Sequence, residues 1–185
     1  MRYPASETAE KHDRILEHAA RLFRERGFGG VSVSEIMKST GLTHGPFYNH
    51  FASKEALMAE SLAHASDEAL ARLATFEQSP EQMREYVRQY LSSEHRDAPG
   101  QGCIMPALGS EICRAPVAKA AFTSHARAVI GRFAKSFPWS AKRTARRDAI
   151  RMLSAMVGAQ ILARAVDDPE LSEEILDAVR SEFAG

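Results

Sequence analysis

The sequence predicts an all-α protein, on the basis of composition and of hydrophobic spacing. The 185 residues include 30 alanines but only eight valines and eight isoleucines. Alanine has the highest intrinsic helix propensity, whereas strands are enriched in β-branched residues. Apolar residues recur at helical spacing along most of the chain, and no window alternates with a period of two for long enough to form a sheet. We therefore expect about nine helices.

The first 76 residues contain four predicted helices, the third of them a short segment. An amphipathic stripe runs from Thr8 to Gly27, and a short helix then opens at a capping box, in which Ser32 is followed three residues later by Glu35. The third segment covers residues 43–51, and a long helix follows from residue 54 to about residue 76. The residues predicted to cap or end these helices are Gly27, Ser32, Gly41, Thr43 and Ser53.

The remaining predicted helices cover residues 80–91, a short apolar piece at 103–113, and residues 116–137, 141–166 and 170–183. Residues 95–102, HRDAPGQG, form the most loop-like stretch of the chain.

Charge and hydropathy exclude several classes of protein. The 24 basic and 24 acidic side chains give a formal net charge of zero, which argues against binding nucleic acid by bulk attraction. No apolar run approaches the roughly 20 residues that span a bilayer, and residues 1–14 lack the features of a secretory signal. Because two cysteines cannot form a disulfide framework, we expect a cytoplasmic protein without a membrane partner.

The order helix, glycine, short helix, Gly-Leu-Thr turn, short helix predicts a helix-turn-helix. In this unit the last short helix enters the major groove of DNA. Phe47 and Phe51, four residues apart, would anchor that helix in the core. Short helices joined by such a turn also occur in proteins that never touch DNA. The side chains predicted to reach bases or phosphates are those of His44, Tyr48, Asn49 and His50, with Lys54 at the start of the next helix.

Residues 14–57, RILEHAARLFRERGFGGVSVSEIMKSTGLTHGPFYNHFASKEAL, resemble the N-terminal domain of the TetR family of transcriptional repressors. The resemblance implies a homodimer that binds a palindromic operator in double-stranded DNA and leaves it when a small-molecule effector occupies the C-terminal domain. It also implies a DNA-binding domain at residues 1–53 and an effector-binding and dimerisation domain at residues 54–185. By position, Thr43, His44, Gly45 and Pro46 lie nearest the bases, Tyr48, Asn49, His50 and Lys54 hold the phosphate backbone, and Ser32 and Ser34 lie at the groove edge.

Pro46 departs from the family pattern, which more often has Thr, Ser, Ala or Gly at this position. Proline has no N–H, so we expect Thr43 to cap the third segment through the Gly45 N–H. Pro46 would then offer only apolar contact, for example to a thymine methyl group.

The helix predicted from residue 141 to residue 166 is apolar around much of its circumference. In the family, the last two long helices pair with those of a second copy as a four-helix interface. The residues expected there are Leu153, Val157, Ile161, Ile175 and Val179. A helix with two apolar faces could instead lie at the centre of a monomer.

The sequence indicates the effector-binding residues less clearly than the DNA-binding ones. Methionine fills irregular spaces, so an adaptable pocket could draw on the methionines of this region, Phe122 and Trp139, although each could equally be a core residue. The pocket or sensor candidates are Cys103, Met105, Phe122, Trp139, Met152 and Met156.

Cys103 follows Gly-Gln-Gly at a predicted helix start, where free N–H groups and the helix dipole would lower the pKa of the thiol. The segment GCIMPALGSEICRAP resembles a TetR subgroup that includes sensors of electrophiles or oxidants, so Cys103 could be such a sensor. The alternative is a small buried apolar residue. Cys113 would lie about 15 Å away along a continuous helix, too far for a disulfide.

Two functions from other classes remain as alternatives, a small helical enzyme and a helical adaptor that binds other proteins. Residues His12 and His18, like His44 and His50, are six apart, so neither pair has the spacing of metal ligands on a helix. No window shows a recognisable catalytic pair, and we expect no metal, no cofactor and no enzymatic activity.

Overall fold

The computed structural model describes residues 5–43 and 45–185, with side chains from Thr8 onward. These residues form ten α-helices and no strand, which confirms the predicted fold class. The helices are α1 (Ala5–Arg26), α2 (Val33–Ser39), α3 (Phe47–His50), α4 (Lys54–Ala74), α5 (Pro80–Tyr90), α6 (Ser93–Asp97), α7 (Ile104–Ile112), α8 (Pro116–Ser136), α9 (Ala145–Ala165) and α10 (Pro169–Ala184). In the part of the chain that is described, no helix has the length and apolar character needed to cross a membrane.

The helix that the sequence did not predict is α6, which lies in the loop-like stretch together with the 3₁₀ helix Pro99–Gln101. The Ser92 side chain starts α6 by accepting a hydrogen bond from the His95 N–H at 3.2 Å. A helix of five residues is shorter than two turns, so it leaves no hydrophobic period to detect.

Most of the predicted caps are confirmed. The Ser32 hydroxyl accepts from the Glu35 N–H, and the Glu35 carboxylate accepts from the Ser32 N–H, which is a reciprocal capping box. Ser53 accepts from the Ala56 N–H at the start of α4. Gly27 and Gly41 adopt φ values of 74° and 77°, the left-handed conformation that ends a helix at little cost for glycine.

The predicted cap at Thr43 is wrong. Helix α3 begins only at Phe47, and its N-cap residue is Pro46, which makes no side-chain cap bond. The Pro46 φ of −67° is the value that the proline ring imposes, so the ring fixes the chain direction in place of a cap.

Two apolar clusters hold the helices together. The first joins α1, α2, α3 and the first half of α4 to α7, with Phe23, Phe47 and Leu108 among its members. The second joins the end of α4 to α5, α8, α9 and α10, around residues such as Phe133 and Met152. Because α4, α7 and α8 contribute to both clusters, the packing is continuous across residue 53, and the division into two domains there stays a prediction.

Polar bonds also cross between these regions at the turn after α1. The Glu111 carboxylate of α7 accepts the Phe28 N–H at 2.7 Å, and the Lys54 ammonium donates to the Phe28 carbonyl at 2.6 Å. The Arg24 guanidinium donates to the Gly100 carbonyl at 2.8 Å. The orientation of α1 and α2 is therefore tied to the loop and helix at residues 99–112.

His125 of α8 is a polar residue inside the core. It is 1% exposed, and its Nδ1 lies 2.9 Å from the Ser66 hydroxyl of α4. Burial lowers the pKa of His125 from 6.5 to about 4. The ring is therefore neutral at physiological pH and stays neutral in the folded protein under moderately acidic conditions.

This burial predicts a pH dependence of stability. Between pH 6.5 and pH 4 the unfolded chain protonates His125 and the folded chain does not. The contribution of His125 to the free energy of unfolding is therefore complete above pH 6.5 and falls by about 3 kcal/mol on going down to pH 4. Urea denaturation across this range should show the decline, and His125→Asn, which can still bond to Ser66, should flatten it. Parallel curves for the two proteins would contradict the assignment.

Candidate functional site

Helix α3 presents one buried and one open side, as predicted. Phe47 and Phe51 are 1% and 2% exposed and pack under the helix, whereas Tyr48 is 68% exposed and Asn49 is also exposed. The aromatic residues are in edge or tilted contact, with 5.1 Å between the ring centroids of Phe47 and Tyr48. Two buried anchors thus fix which polar side chains face outward.

The chain before α3 is also open. Thr43 and Gly45 are exposed, and Pro46 is partly exposed, so the chain that leads into α3 is accessible, as Tyr48 is. His44 lies outside the described residues. The base-proximal positions thus precede the first turn of α3 and do not lie within it.

Three of the predicted phosphate or groove-edge residues are already engaged within the protein. The Ser32 hydroxyl belongs to the capping box and also donates to Glu35 at 2.7 Å, while Ser34 in the first turn of α2 is exposed. Lys54 uses one of its three N–H donors on the Phe28 carbonyl. His50 is partly buried at the end of α3.

The structure brings His12 and His50 together, which the sequence spacing did not indicate. Their ring centroids are 5.9 Å apart, and His12 stacks on Phe51 at 4.5 Å. Burial, and then the charges of His12 and Lys11, lower the pKa of His50. His50 is therefore neutral at pH 7 and can offer a phosphate a hydrogen bond but no charge.

An open cleft of about 580 Å³ lies between α4, α5 and α6. One wall is aromatic, made of Phe76, Tyr86 and Tyr90, and Arg72 lies on the same rim. None of the predicted pocket residues lines this cleft. It is built from the end of α4, one side of α5 and the loop at residues 92–101, three segments whose meeting no local pattern reveals.

The predicted pocket residues occupy the core. Met152 and Met156 are 0% exposed and Met105 is 5% exposed, all within the second apolar cluster. Phe122 and Trp139 are partly buried against that cluster, and the Trp139 indole N–H donates to the Phe133 carbonyl at 2.8 Å. The structure thus gives these side chains a packing role, and none of them lines the cleft between α4, α5 and α6.

Cys103 lies behind the aromatic wall of the cleft, beside a small void that Tyr86 and Tyr90 also line. It is the N-cap residue of α7, and its sulfur accepts from the Met105 N–H at 3.4 Å. The Cys103 N–H donates to His95 Nε2 at 3.0 Å, and His95 Nδ1 lies 2.6 Å from the Tyr90 carbonyl. The predicted helix start is therefore confirmed.

The predicted direction of the Cys103 pKa shift is wrong. Burial raises the pKa of the thiol, and this outweighs the lowering by the Met105 N–H, the Tyr90 hydroxyl and the Arg72 and Arg24 charges. Cys103 is thus mostly a protonated thiol at pH 7. Cys103 and Cys113 are both free, and a continuous α7 lies between them, as predicted.

Helices α9 and α10 carry an exposed apolar face. Ile150, Ile161, Leu162 and Leu171 are between 40% and 55% exposed, and Val157, Ile175 and Val179 are partly exposed. Of the predicted interface residues, Leu153 lies elsewhere, because it is 7% exposed and packs into the core of its own chain. Ile150, Leu162 and Leu171 were not predicted, although the helical period through Ile161 could have found Ile150.

Comparisons with known proteins connect these features to a family. Residues 15–61 match the bacterial regulatory proteins of the tetR family. The chain is 33% identical over 94 residues to the uncharacterized HTH-type transcriptional regulator YuxN of Bacillus subtilis, covering 48% of this chain and 32% of that protein. It is 32% identical over 113 residues to the HTH-type transcriptional regulator UidR of Escherichia coli K12, covering 60% and 56%. The chain thus spans between about a third and just over half of the length of these relatives.

Solved structures share the architecture over nearly the whole chain. The reduced form of E. coli NemR superposes with a TM-score of 0.80 at 22% identity, covering 94% of this chain and 95% of that one. A tetR-family transcriptional regulator from Agrobacterium tumefaciens gives a TM-score of 0.78 at 22% identity, covering 96% and 99%. At this identity the likeness establishes the fold.

The raised pKa of Cys103 predicts slow alkylation at neutral pH. In a Cys113→Ser background, the rate of iodoacetamide labelling should rise with pH to a midpoint above the value of an unperturbed thiol, about 8.5. Arg72→Gln should move the midpoint higher still, because the positive charge of Arg72 lowers the pKa of the thiol. Mass spectrometry of Cys103 gives the rate, and a midpoint at or below that of free cysteine would contradict the assignment.

Proposed function

Because the chain belongs to the TetR family of bacterial regulatory proteins, we propose that it is a cytoplasmic transcriptional repressor that binds a palindromic operator in double-stranded DNA as a homodimer. The observation that carries the proposal is the geometry of α3, whose polar side is held outward by buried Phe47 and Phe51. The relatives named above are regulators, which favours this function over an enzyme or a protein-binding adaptor.

On DNA, the exposed residues around the start of α3 have distinct roles. Thr43 and Gly45, with Pro46, approach the base edges, and Tyr48 and Asn49 hold phosphates. Residues 1–54 contain eight basic and six acidic side chains, so the electrostatic contribution is small and placed contacts carry most of the binding. His44 and Ser34 complete the surface that the resemblance assigns, and the half-sites of the operator lie about 34 Å apart.

Tyr48 provides a test of this docking. Tyr48→Phe removes one hydroxyl that donates to a phosphate and should lower the affinity for the operator about tenfold. Thr123→Val removes an exposed hydroxyl on α8 that does not line the cleft, and it should leave the affinity unchanged. Fluorescence anisotropy with the DNA upstream of the chain's own gene measures both. Equal affinities for Tyr48→Phe and the unaltered protein would contradict the docking, and no binding by the unaltered dimer at low salt would contradict the function.

The homodimer would form through the apolar face of α9 and α10. A palindrome needs two copies of α3, and an exposed row that includes Ile150, Ile161 and Leu171 is unfavourable in water. Burying this face against its copy makes a four-helix interface, with Val157, Ile175 and Val179 at its partly buried side.

Ile161→Asp tests this interface. Because Ile161 is 45% exposed, the substitution should leave the fold intact but place a carboxylate in the apolar interface. Sedimentation velocity should then show a monomer, and operator binding should be lost. Val117→Asp on α8 changes a side chain that is 42% exposed and should leave a dimer. A dimeric Ile161→Asp protein would place the interface elsewhere.

Release from DNA has two candidate triggers, a small molecule in the C-terminal helices and modification of Cys103. The open cleft favours the small molecule, because its volume lies in the range of ligand sites and its loop contacts α1. Cys103 is half-buried and protonated at neutral pH, so an electrophile or oxidant would react with it slowly. We therefore place the effector in the cleft and keep Cys103 as the second trigger.

A further inference from the structure

The cleft between α4, α5 and α6 has a chemical character that narrows the class of its ligand. Phe76 and Tyr86 meet edge to face at 5.5 Å, and Tyr86 meets Tyr90 at 6.2 Å between ring centroids. Tyr90 in turn contacts the His95 ring at 4.6 Å. These rings are inclined to one another and form a continuous aromatic wall along the cleft, which offers both ring edges and ring faces to an aromatic ligand.

The charged side chains around the cleft differ in whether they already have partners within the protein. Glu85 accepts hydrogen bonds from Arg88 at 2.9 Å and from Gln89 at 3.0 Å. Arg88 also bonds to Glu81 and to the Ala184 carbonyl. Glu94 bonds locally at the start of α6, with Ser93 at 3.4 Å. Glu85 and Arg88 are therefore committed to ion pairs within the protein, whereas Glu94, among the described residues, accepts from a serine hydroxyl and forms no ion pair.

Arg72 differs from these groups. Across residues 5–43 and 45–185, its guanidinium has no ion pair and no side-chain hydrogen bond, although it lies on the rim of the cleft and also beside the inner void. Its positive charge lowers the pKa of His95 and of Cys103, so its field reaches both. An uncommitted guanidinium beside an aromatic wall is a site for a planar anion.

We propose that the cleft binds a flat aromatic carboxylate, with its rings on the wall of Phe76, Tyr86 and Tyr90 and its carboxylate on Arg72. A volume of about 580 Å³ accommodates a ligand of one to three fused rings. The identity of the effector rests on the proposed function, but the binding of the anion does not.

Such a ligand would reach α1 through the loop that closes the cleft. His95, Ala98 and Gln101 line the cleft, and Gly100 between them accepts the hydrogen bond from Arg24. Gly100 lies so close to α1 that a Cβ added there would be 2.4 Å from a carboxylate oxygen of Glu25. Because the loop contacts side chains of α1 at Arg24 and Glu25, displacement of the loop by a ligand would be transmitted to α1 and to the helices packed on it.

A matched pair of probes tests the ligand class. We expect 2-naphthoate to bind about tenfold more tightly than the neutral 2-naphthalenemethanol, because only the anion gains a charge-assisted bond to Arg72. Isothermal titration calorimetry measures both affinities. Failure of 2-naphthoate to bind at millimolar concentration, or equal affinity for both probes, would overturn the proposal.

Three variants distinguish the contribution of Arg72 to anion binding from that of the residues around it. Arg72→Gln should remove the preference for the anion, and Arg72→Lys, which keeps the charge, should retain part of it. Arg84→Gln changes an arginine of α5 that does not line the cleft and should behave as the unaltered protein. Thermal denaturation by circular dichroism shows that each variant is folded. Should Arg72→Gln not fold, Tyr86→Leu takes its place and should weaken the binding of both probes, because both lay their rings on the aromatic wall. A preference for the anion unchanged in folded Arg72→Gln, or affinities unchanged in Tyr86→Leu, would overturn the proposal.

A measurement with operator DNA distinguishes failure of the ligand site from failure of the proposed function. With 2-naphthoate present, the unaltered protein should lose operator affinity while Arg72→Gln does not. Naphthoate binding that depends on Arg72, in a protein that binds no operator, would contradict the proposed function and leave the ligand site standing. Operator binding that is normal, with no Arg72-dependent binding of naphthoate, would overturn the ligand site alone.

Discussion

The backbone N–H and carbonyl of Phe28, at the turn after α1, form the hydrogen bonds on which the packing of α1 against the rest of this protein depends. The N–H is bonded to Glu111 and the carbonyl to Lys54, and both partners come from helices distant in sequence. A buried backbone group left without a partner costs about 1–3 kcal/mol, so the turn is stable only where α4 and α7 supply these atoms. The surface around α3 is therefore positioned by α7 and by α4, the second of which also lines the cleft.

A second set of polar bonds holds the loop between α5 and α7. The Tyr90 carbonyl accepts from the Gln160 amide at 2.6 Å and lies 2.6 Å from His95 Nδ1. The Arg164 guanidinium donates to the carbonyls of His95 and Arg96 at 2.7 and 2.9 Å. These bonds come from α9, so the helix with the exposed apolar face also fixes the loop that closes the cleft. A ligand that shifts this loop acts on bonds to α9 and to α1 together.

The total charge of the chain is neutral, but positive and negative side chains are concentrated in different segments and therefore on different helices. Residues 114–151 contain ten basic side chains and one acid, and residues 167–182 contain seven acids and one base. Many of these charges pair along one helix, as Arg180 does with Glu173 and Asp177. Arg72 is different because, among the described residues, it lines a cleft with three aromatic side chains and forms no ion pair. This contrast, rather than the charge count, supports the proposal that the cleft binds an anion.

The sequence by itself determined the all-α class, the capping box at Ser32, the glycine stops and the two aromatic anchors of α3, because each depends on residues within about four positions of one another. It also showed a resemblance to the TetR family that runs without a gap over residues 14–57. Only the tertiary structure decided that Cys103 is protonated, that Leu153 packs inward and that His12 meets His50, since burial and ring contacts depend on segments distant in the chain. The cleft is also a feature that only the tertiary structure decided. Arg72, Tyr86 and His95 lie on three helices, and no local spacing specifies their approach.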